Sequence, residues 1–310
     1  MKDLILGIDT SNYRTSVSLV DHEGQIVYNY RKLLDVPFGK RGLRQSEAFF
    51  QHVNRLPDPI GEVMEYRDRI GGISVSTRPR PRDGSYMPCF LAGHVLAKEL
   101  SAALNVPLNE TSHQEGHVEA IRFYSDLRGV DKVIFFHLSG GTTEALFDNE
   151  IVGGTKDISY GQVLDRLGVK LGYSFPSGEY LDRIALEAPV SSHRLTPIKV
   201  KDGYLNLSGI ETQAMREADR IGDDPEGIRS LVREVMDRIL DSLIKTILEL
   251  SALYDTDDII LSGGVSSSEY IRREIRERIK DKHIVFGSPE LSGDNAVGTA
   301  LLMIGSQKEY

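Results

Sequence analysis

The stretch Leu138-Ser139-Gly140-Gly141-Thr142-Thr143 carries most of the information about the fold. It follows directly on an apolar run, Val133–Leu138, whose length and composition are typical of a buried β-strand. A turn of small and hydroxylated residues exposes backbone N–H groups that can hold phosphate oxygens, and glycine lets a ligand approach the backbone closely. Most glycine turns only reverse the chain, so this turn alone is weak evidence for a phosphate site.

Two further glycine turns also follow apolar runs and strengthen the interpretation of these turns as phosphate-binding. They are Gly7-Ile8-Asp9-Thr10-Ser11 and Leu261-Ser262-Gly263-Gly264-Val265-Ser266. The second opens into a segment, Ser268–Ile279, that predicts a helix whose N-terminal dipole favours an anion. The pattern strand–turn–strand–turn–strand followed by helices occurs twice, which indicates a structural duplication at the level of topology.

Helical segments alternate with these strands. Phe90–Leu104 is apolar, and 46–63 looks helical with a break at its two prolines. The strongest helix begins at Asp224-Pro225, because aspartate is a favoured N-cap and proline suits the first helical position. Apolar residues then recur at three-four spacing as far as Leu248 and predict a core-facing helix. The alternation predicts an α/β fold with mixed sheets.

The stretch Ser112-His113-Gln114-Glu115-Gly116-His117 is the clearest sign of chemistry. Histidines four residues apart lie on one helix face, where both imidazoles can reach one metal ion. Glu115 stands in neither position that a zinc peptidase needs for its general base. The pair therefore predicts a metal-binding site without peptidase activity, although a pair of this kind is by itself more often structural.

Composition narrows the classes of partner. The chain has 310 residues, 40% of them hydrophobic, and a net charge of −9. An acidic chain does not bind nucleic acid through its overall field, so RNA would need a local basic patch and DNA is not expected. No apolar run reaches the length of a membrane span, and Met1–Gly7 reads as a first strand and not as a signal peptide. The lone Cys89 fits a reducing, cytoplasmic location.

These motifs together resemble the superfold of actin, heat-shock chaperone ATPases and sugar kinases, and more specifically the TsaD/OSGEP family, long labelled glycoprotease. The segments that carry the resemblance are Leu4–Ser11, Ala92–Leu108, His113–His117, Leu138–Thr143, Gly161–Ala185, Leu207–Thr212, Gly263–Ser268 and Asp294–Ala300. The resemblance implies two lobes with duplicated mixed sheets. We expect residues 1–110 to form the N-terminal lobe, with 293–310 packing back on it. Residues 111–292 would form the C-terminal lobe with a helical insertion.

The resemblance also implies a metal site. In the family an aspartate near the C-terminus completes the histidine pair, and Asp294 matches it. His137 stands where archaeal-type members have a tyrosine ligand. His113, His117, His137 and Asp294 would give three nitrogens and one oxygen, which suits Fe(II) or Zn(II). The alternative for His137 is a half-buried strand histidine.

The nucleotide contacts of the family map onto the glycine turns and the helices behind them. We expect nucleotide or substrate binding from Asp9, Thr10, Ser11, Ser139, Gly140, Gly141, Thr142, Asp165, Gly178, Asp182, Gly263, Gly264 and Ser268. Asp165 would take the ribose hydroxyls, and Ser268 replaces the family's usual asparagine. Arg14 and Ser139 are the candidate catalytic residues. The ligand would be ATP or AMP, or a threonylcarbamoyl-adenylate.

The activity implied is the transfer of a threonylcarbamoyl group from its adenylate, bound between the lobes, to N6 of the tRNA adenosine beside the anticodon. Partners would be tRNA and either the other proteins of the tRNA-modification complex or a second copy of this chain. Two alternatives stay open: a paralogous carbamoyl- or acyltransferase with another anionic acceptor, and a non-catalytic nucleotide-binding subunit. A metallopeptidase is the least favoured.

The N-terminal lobe departs from the family pattern. Asn12-Tyr13-Arg14-Thr15 stands where the family has Cys-Asp-Glu-Thr, so both carboxylates are missing. Two further family segments are replaced by Gly39–Ser46 and Arg78–Gly84. These changes add cations that could form a mouth for an anionic acceptor, because arginine forks suit phosphate and carboxylate groups. The residues of this acceptor mouth are Lys40, Arg41, Arg44, Arg78, Arg80 and Arg82. The alternative is a solvated loop with scattered ion pairs.

Overall fold

The computed structural model describes residues 2–11, 14–36, 43–82, 84–189, 194–288 and 296–306. In these ranges the strands are β1 Leu4–Thr10, β2 Arg14–Asp21, β3 Ile26–Leu33, β4 Ile70–Arg78, β5 Leu108–Ser112, β6 Ile134–Leu138, β7 Thr143–Phe147, β8 Glu150–Thr155, β9 Val200–Lys201, β10 Tyr204–Leu205, β11 Asp258–Ser262 and β12 His283–Phe286. The helices are α1 Gln45–Arg55, α2 Pro57–Val63, α3 Phe90–Leu104, α4 His113–Arg122, α5 Tyr160–Lys170, α6 Gly178–Glu187, α7 Ser208–Ile221, α8 Pro225–Tyr254, α9 Glu269–Arg278 and α10 Val297–Ser306, with 3₁₀ turns at Met64–Arg69 and Val265–Ser267.

The strands of the described residues form two sheets with the same central topology. One has the order β3-β2-β1-β4-β5 and the other β12-β11-β6-β7-β8-β10-β9. In each, a hairpin of three antiparallel strands continues into two parallel strands beside its first strand. The predicted α/β fold and its topological duplication are therefore confirmed, because β8-β7-β6-β11-β12 repeats β3-β2-β1-β4-β5.

Local sequence accounts for the element boundaries. The side chain of Asp21 accepts hydrogen bonds from the N–H groups of Glu23 and Gln25, and Gly24 has φ +91°, so this hairpin turn forms as its residue types predict. The carboxylate of Asp224 caps α8 by accepting a hydrogen bond from the N–H of Gly227, three residues further along the chain. Asn105 ends α3 in the left-handed conformation.

Each unit has its own core. In the second, Leu231, Val235, Ile239 and further apolar residues of α8 share one buried cluster with apolar residues of β6 and β11. In the first, β1, β2 and β4 pack against α2 and α3, and a separate cluster joins the other face of β1 to α10. Apolar burial on both faces of the parallel strands fits the continuous apolar runs of the sequence.

The chain divides into two compact units, residues 1–128 with 290–310 and residues 129–289. The boundary therefore falls after Arg128 and not at 110/111, and the histidine helix α4 belongs to the first unit. The reason is a close helix crossing, in which α4 packs along α10 and Gly116 meets Gly298. In the described part of the chain, no helix is long and apolar enough to cross a membrane.

Candidate functional site

The two histidines of α4 converge as their spacing predicts. Ser112 and Glu115 form a capping box that starts the helix at His113. The Nε2 atoms of His113 and His117 lie 2.9 Å apart, with ring centroids 4.4 Å apart and planes at 80°. His117 is buried, and the side chain of His113 is 20% exposed. This separation is a hydrogen-bond distance, and two imidazole nitrogens that approach each other in this way also suit a shared divalent metal ion.

Glu115 is engaged in holding the helix. Its Oε2 accepts from the backbone N–H of Ser112 at 2.7 Å and lies 3.9 Å from Nη2 of Arg78. A carboxylate fixed in this way points at the backbone of its own helix and does not face the histidine nitrogens. The structure thus gives a physical reason why Glu115 cannot be the base of a peptidase.

The remaining metal ligands stay predictions. Asp294 lies outside the described residues. Within the described part of the chain, no group of three histidine, cysteine or acidic side chains is gathered for a metal. His137 lies on the face of its sheet opposite the core residues of β6, in register with Glu144 and Ser262.

Asp9, which the sequence analysis expects to bind nucleotide or substrate, contacts His113 of the histidine pair. Its side chain is fully buried, and Oδ1 accepts from Nδ1 of His113 at 3.0 Å and from the hydroxyl of Ser76. Thr10 is also buried; its hydroxyl donates to the carbonyl of Cys89 and accepts from the N–H of Gly93, which fixes the start of α3. These contacts hold side chains that the sequence analysis assigned to a ligand.

Ser11 is held through its backbone carbonyl and not through its hydroxyl. Its backbone carbonyl accepts from Nε2 of His52 at 2.9 Å, and Nδ1 of His52 accepts from the hydroxyl of Thr15 at 2.8 Å. Burial lowers the pKa of His52 and so favours the neutral imidazole, whose ring bridges Ser11 and Thr15. The buried hydroxyl of Ser11 has no hydrogen-bond partner in the described ranges.

In the second unit, the turn after β6 rests on the N-terminus of α5. Ser159 caps α5 and donates its hydroxyl to the carbonyl of Gly140 at 2.8 Å. A Cβ on Gly161 would lie 2.5 Å from Cα of Gly140, so only glycine permits this approach. A Cβ on Gly141 would meet nothing within 4 Å, which shows open space beside the turn. This arrangement of turn and helix N-terminus suits a phosphate.

Asp165 faces the same turn from the next turn of α5. Its Oδ1 accepts from the N–H of Ser177 at 2.7 Å, and Oδ2 would lie 4.0 Å from a Cβ on Gly140. Burial raises the pKa of Asp165, partly offset by the N–H groups of Ser177 and Gly178. A Cβ on Gly178 would meet nothing within 4 Å, so there is open space beside this residue. The structure therefore brings together the Ser139–Thr142 turn, Asp165 and Gly178.

The helix that follows the third glycine turn has its N-terminus occupied by a side chain of the protein. Helix α9 is capped by Ser268 and begins at Glu269, close to the expected Ser268–Ile279, and a 3₁₀ turn separates it from the glycines. The carboxylate of Asp182 accepts from the N–H groups of Glu269 and Tyr270 and from the hydroxyl of Ser268. The N-terminus of α9 thus holds an anion, as its dipole predicts, and that anion is the side-chain carboxylate of Asp182.

The two glycines of that turn have separate roles. Gly263 has φ +94°, and a Cβ there would lie 2.4 Å from the carbonyl oxygen of Leu138, so the turns after β6 and β11 touch. Gly264 is exposed, and a Cβ there would meet nothing within 4 Å. Only Gly264 is therefore open to a ligand.

The arginines of the acceptor mouth are only partly brought together. The loop from Arg78 to Arg82 lies against the start of α4, where the N–H of Gln114 donates to the carbonyl of Pro79 at 3.1 Å. Arg44 instead caps α1 through the carboxylate of Glu47. Arg14 begins β2 opposite Leu33. Lys40 and Arg41 lie outside the described residues.

Several residues of the site were missed by the sequence analysis. Ser159 and Gly161 could have been found, because Ser159-Tyr160-Gly161-Gln162 has the spacing of a capping box directly before an apolar periodic run. Ser76 and His52 gave no local signal. Their partners, Asp9 and Ser11, are far away in the chain.

The duplicated strand order, with a turn of small residues after each first strand, defines a protein of the sugar-kinase-like superfold. Solved structures support this class. HypF from T. kodakarensis superposes with a TM-score of 0.64 at 16% identity, over 99% of this chain and 48% of that one. An activator of 2-hydroxyisocaproyl-CoA dehydratase from Clostridium difficile superposes with a TM-score of 0.55 at 15% identity, over 99% and 98% of the two chains.

The sequence matches the family model of TsaD, tRNA N6-adenosine threonylcarbamoyltransferase, over residues 36–301. The chain belongs to this acyltransferase family. A tRNA N6-adenosine threonylcarbamoyltransferase of Neorickettsia sennetsu is 26% identical over 94% of this chain and 90% of its own length. A probable bifunctional tRNA threonylcarbamoyladenosine biosynthesis protein of Methanothermobacter thermautotrophicus is 28% identical over 96% of this chain, which spans 55% of that relative.

Proposed function

We propose that this protein transfers a threonylcarbamoyl group from an adenylate to N6 of the tRNA adenosine next to the anticodon, with one divalent metal, Fe(II) or Zn(II). The observation that carries the metal is the convergence of the Nε2 atoms of His113 and His117 at 2.9 Å. His137 and Asp294 complete the proposed ligand set. When bound, such an ion polarises the carbamoyl or phosphate oxygens and orients the donor.

The nucleotide half of the proposal rests on the second unit. The N–H groups of the Ser139–Thr142 turn and the N-terminus of α5 would hold the phosphate of the donor, or of ATP and AMP. Asp165 would accept hydrogen bonds from the ribose hydroxyls, and the open space at Gly178 and Gly264 leaves room for the nucleoside. Ser139 would stabilise charge on the phosphate through its hydroxyl.

In the transfer step, the N6 amine forms a bond to the carbamoyl carbon while the bond from that carbon to the phosphate oxygen breaks. AMP leaves with the electron pair, and the amine releases a proton. Arg14 would contribute positive charge where the family carries carboxylates. Because negative charge develops on the leaving phosphate, fixed cations and N–H groups would lower the activation barrier of the transfer.

Partner proteins or a second copy of the chain belong to the proposal as well. The bifunctional name of the Methanothermobacter relative supports cooperation with a second protein activity. The buried Cys89 is consistent with a reducing, cytoplasmic location.

The test is to incubate the protein with threonylcarbamoyl-adenylate and unmodified tRNA, and to measure modified nucleoside and AMP. Equal amounts of both products would support the proposal. Absence of modified nucleoside, in a preparation that contains the metal and candidate partner proteins, would contradict it.

A second candidate function, transfer to a smaller anionic acceptor, is favoured by Arg14 and by the arginines of the Arg78–Arg82 loop beside the histidine helix. We expect Arg80→Ala with Arg82→Ala to weaken acceptor use about tenfold, because each lost arginine–phosphate contact is worth roughly 1 kcal/mol or less at an exposed site. Nucleotide affinity should not change. Arg67→Ala, at an exposed arginine of the same unit, is the control.

AMP release with a small phosphorylated or carboxylated acceptor, without tRNA modification, would favour this second function. Equal losses of nucleotide affinity and acceptor use in the double variant would refute an acceptor role for the loop.

A further inference from the structure

Asp9 is a buried carboxylate whose observed partners are side chains of the protein. Its side chain has no solvent exposure, at the end of the central strand β1. A buried charge is costly unless hydrogen bonds and opposite charge compensate it. Oδ1 receives two donors, Nδ1 of His113 and the hydroxyl of Ser76. The carboxylate is therefore tied to the histidine helix and to the neighbouring strand β4.

This contact decides which nitrogen of His113 can bind a metal. An ionised carboxylate only accepts, so Nδ1 of His113 carries a hydrogen, and in the neutral imidazole Nε2 then keeps its lone pair. That Nε2 faces Nε2 of His117 at 2.9 Å. The hydrogen bond also fixes the ring, because rotation about the side chain would break the 3.0 Å contact to Asp9.

We propose that Asp9 is a positioning residue for the metal site, which holds His113 in the tautomer and orientation that present Nε2 to the ion. The inference rests on the metal-binding part of the proposed function. A histidine ligand whose other nitrogen donates to a carboxylate is more basic and better oriented, and loss of the carboxylate weakens metal affinity roughly 10- to 100-fold. Ser76 in turn fixes the carboxylate.

The experiment compares Asp9→Ala and Asp9→Asn with Asp3→Asn as a matched control. Asp3 lies just before the other end of β1 and pairs with Arg69 at 2.6 Å, remote from the histidines. Zn(II) affinity is measured by competition with a chromophoric chelator, and Co(II) absorption reports the ligand geometry. We expect affinity to fall roughly 10- to 100-fold in Asp9→Ala and less in Asp9→Asn, whose amide oxygen still accepts. Asp3→Asn should match the wild type.

A second measurement does not depend on a stable variant. In the metal-free wild-type protein at about pH 8, above the ordinary histidine pKa, long-range ¹⁵N–¹H NMR should show His113 protonated at Nδ1. Protonation at Nε2, or unchanged Zn(II) affinity in folded Asp9→Ala, would overturn the inference.

These experiments distinguish failure of the proposed activity from failure of the positioning role of Asp9. If the wild type binds neither Zn(II) nor Co(II), the metal part of the proposed function and the role of Asp9 both fall. If it binds metal through an Asp9-dependent site but makes no modified nucleoside, the proposed activity falls and the positioning role stands.

Discussion

The hairpins that open the two sheets pair their strands in the same way but differ in chemistry. In each, the last paired residues enclose a connection of the same length, Thr10↔Thr15 around 11–14 and Leu138↔Thr143 around 139–142. Asp9 and His137 therefore take equivalent places, each one residue before the final pair. The scaffold is repeated, while the side chains at its strand ends are not.

The difference follows from what each turn must approach. The second turn contains Gly140 and Gly141 and lies on a helix N-terminus, so an anion can come close to its N–H groups. The first connection has the sequence Ser11-Asn12-Tyr13-Arg14, which contains no glycine. Its backbone is held from behind by His52. The second hairpin thus has backbone donors suited to a phosphate, whereas the described residues at the end of the first strand, Asp9 and Ser11, are held by His113 and His52.

The largest expected effect is on the helix that carries the histidines. A Cβ on Gly298 would lie 1.8 Å from the carbonyl oxygen of Gly116, where α10 crosses α4, and backbone cannot yield as a side chain can. We expect Gly298→Ala to destabilise the protein by roughly 3 kcal/mol or more and to weaken metal binding. Chemical denaturation and Zn(II) titration measure both.

Gly61→Ala is the control in the same unit, because a Cβ there meets nothing within 4 Å. It should be neutral or slightly stabilising. If Gly298→Ala were as stable as Gly61→Ala, the close crossing of α4 and α10 would be wrong.

The second effect concerns the phosphate turn of the second unit. Gly161→Ala would place a methyl group 2.6 Å from the carbonyl oxygen of Ser139 and push the turn away from α5. We expect nucleotide affinity to fall about tenfold or more, since 1.4 kcal/mol of lost interaction is a factor of ten. Calorimetric titration with AMP and ATP measures it. Gly209→Ala, also at the second residue of a helix but with open space, should bind nucleotide like the wild type.

The smallest effect is a difference in pH dependence between the two hairpins. Burial lowers the pKa of His52 from 6.5, so the unfolded chain takes up a proton first as pH falls. Stability contributed by neutral His52 is thus present above about pH 6.5 and declines below it, towards the lowered pKa. Thr143, the counterpart of Thr15, accepts from the N–H of Tyr160 at 3.0 Å, a partner that does not titrate.

We expect His52→Gln to remove part of the loss of stability between about pH 7 and 5, at a scale of about 1.4 kcal/mol for each unit of pKa shift. Denaturation curves across that range measure it. His22→Gln, on an exposed turn, should leave the slope of the wild type. An unchanged slope in His52→Gln would mean that other groups cause the acid sensitivity.

Local patterns predicted most of the fold. Helix α3 was expected at Phe90–Leu104 and has these bounds, and α8 begins at Pro225 as its cap predicts. Both rest on interactions within a few residues, which sequence displays directly. The start of α9 was also expected correctly, at Ser268, but the partner of its first N–H groups was missed, because Asp182 lies on α6. A partner so distant in the chain leaves no local signal.

The sequence by itself determined the α/β class, the duplication, the glycine turns and the histidine pair, because periodicity, turn chemistry and helical spacing are local properties. Only the tertiary structure decided what the polar side chains do. Asp9 meets His113 across 104 positions of the chain, and Asp182 meets Ser268 across 86. Buried polar groups must find partners wherever packing brings them, so their roles depend on which elements lie side by side.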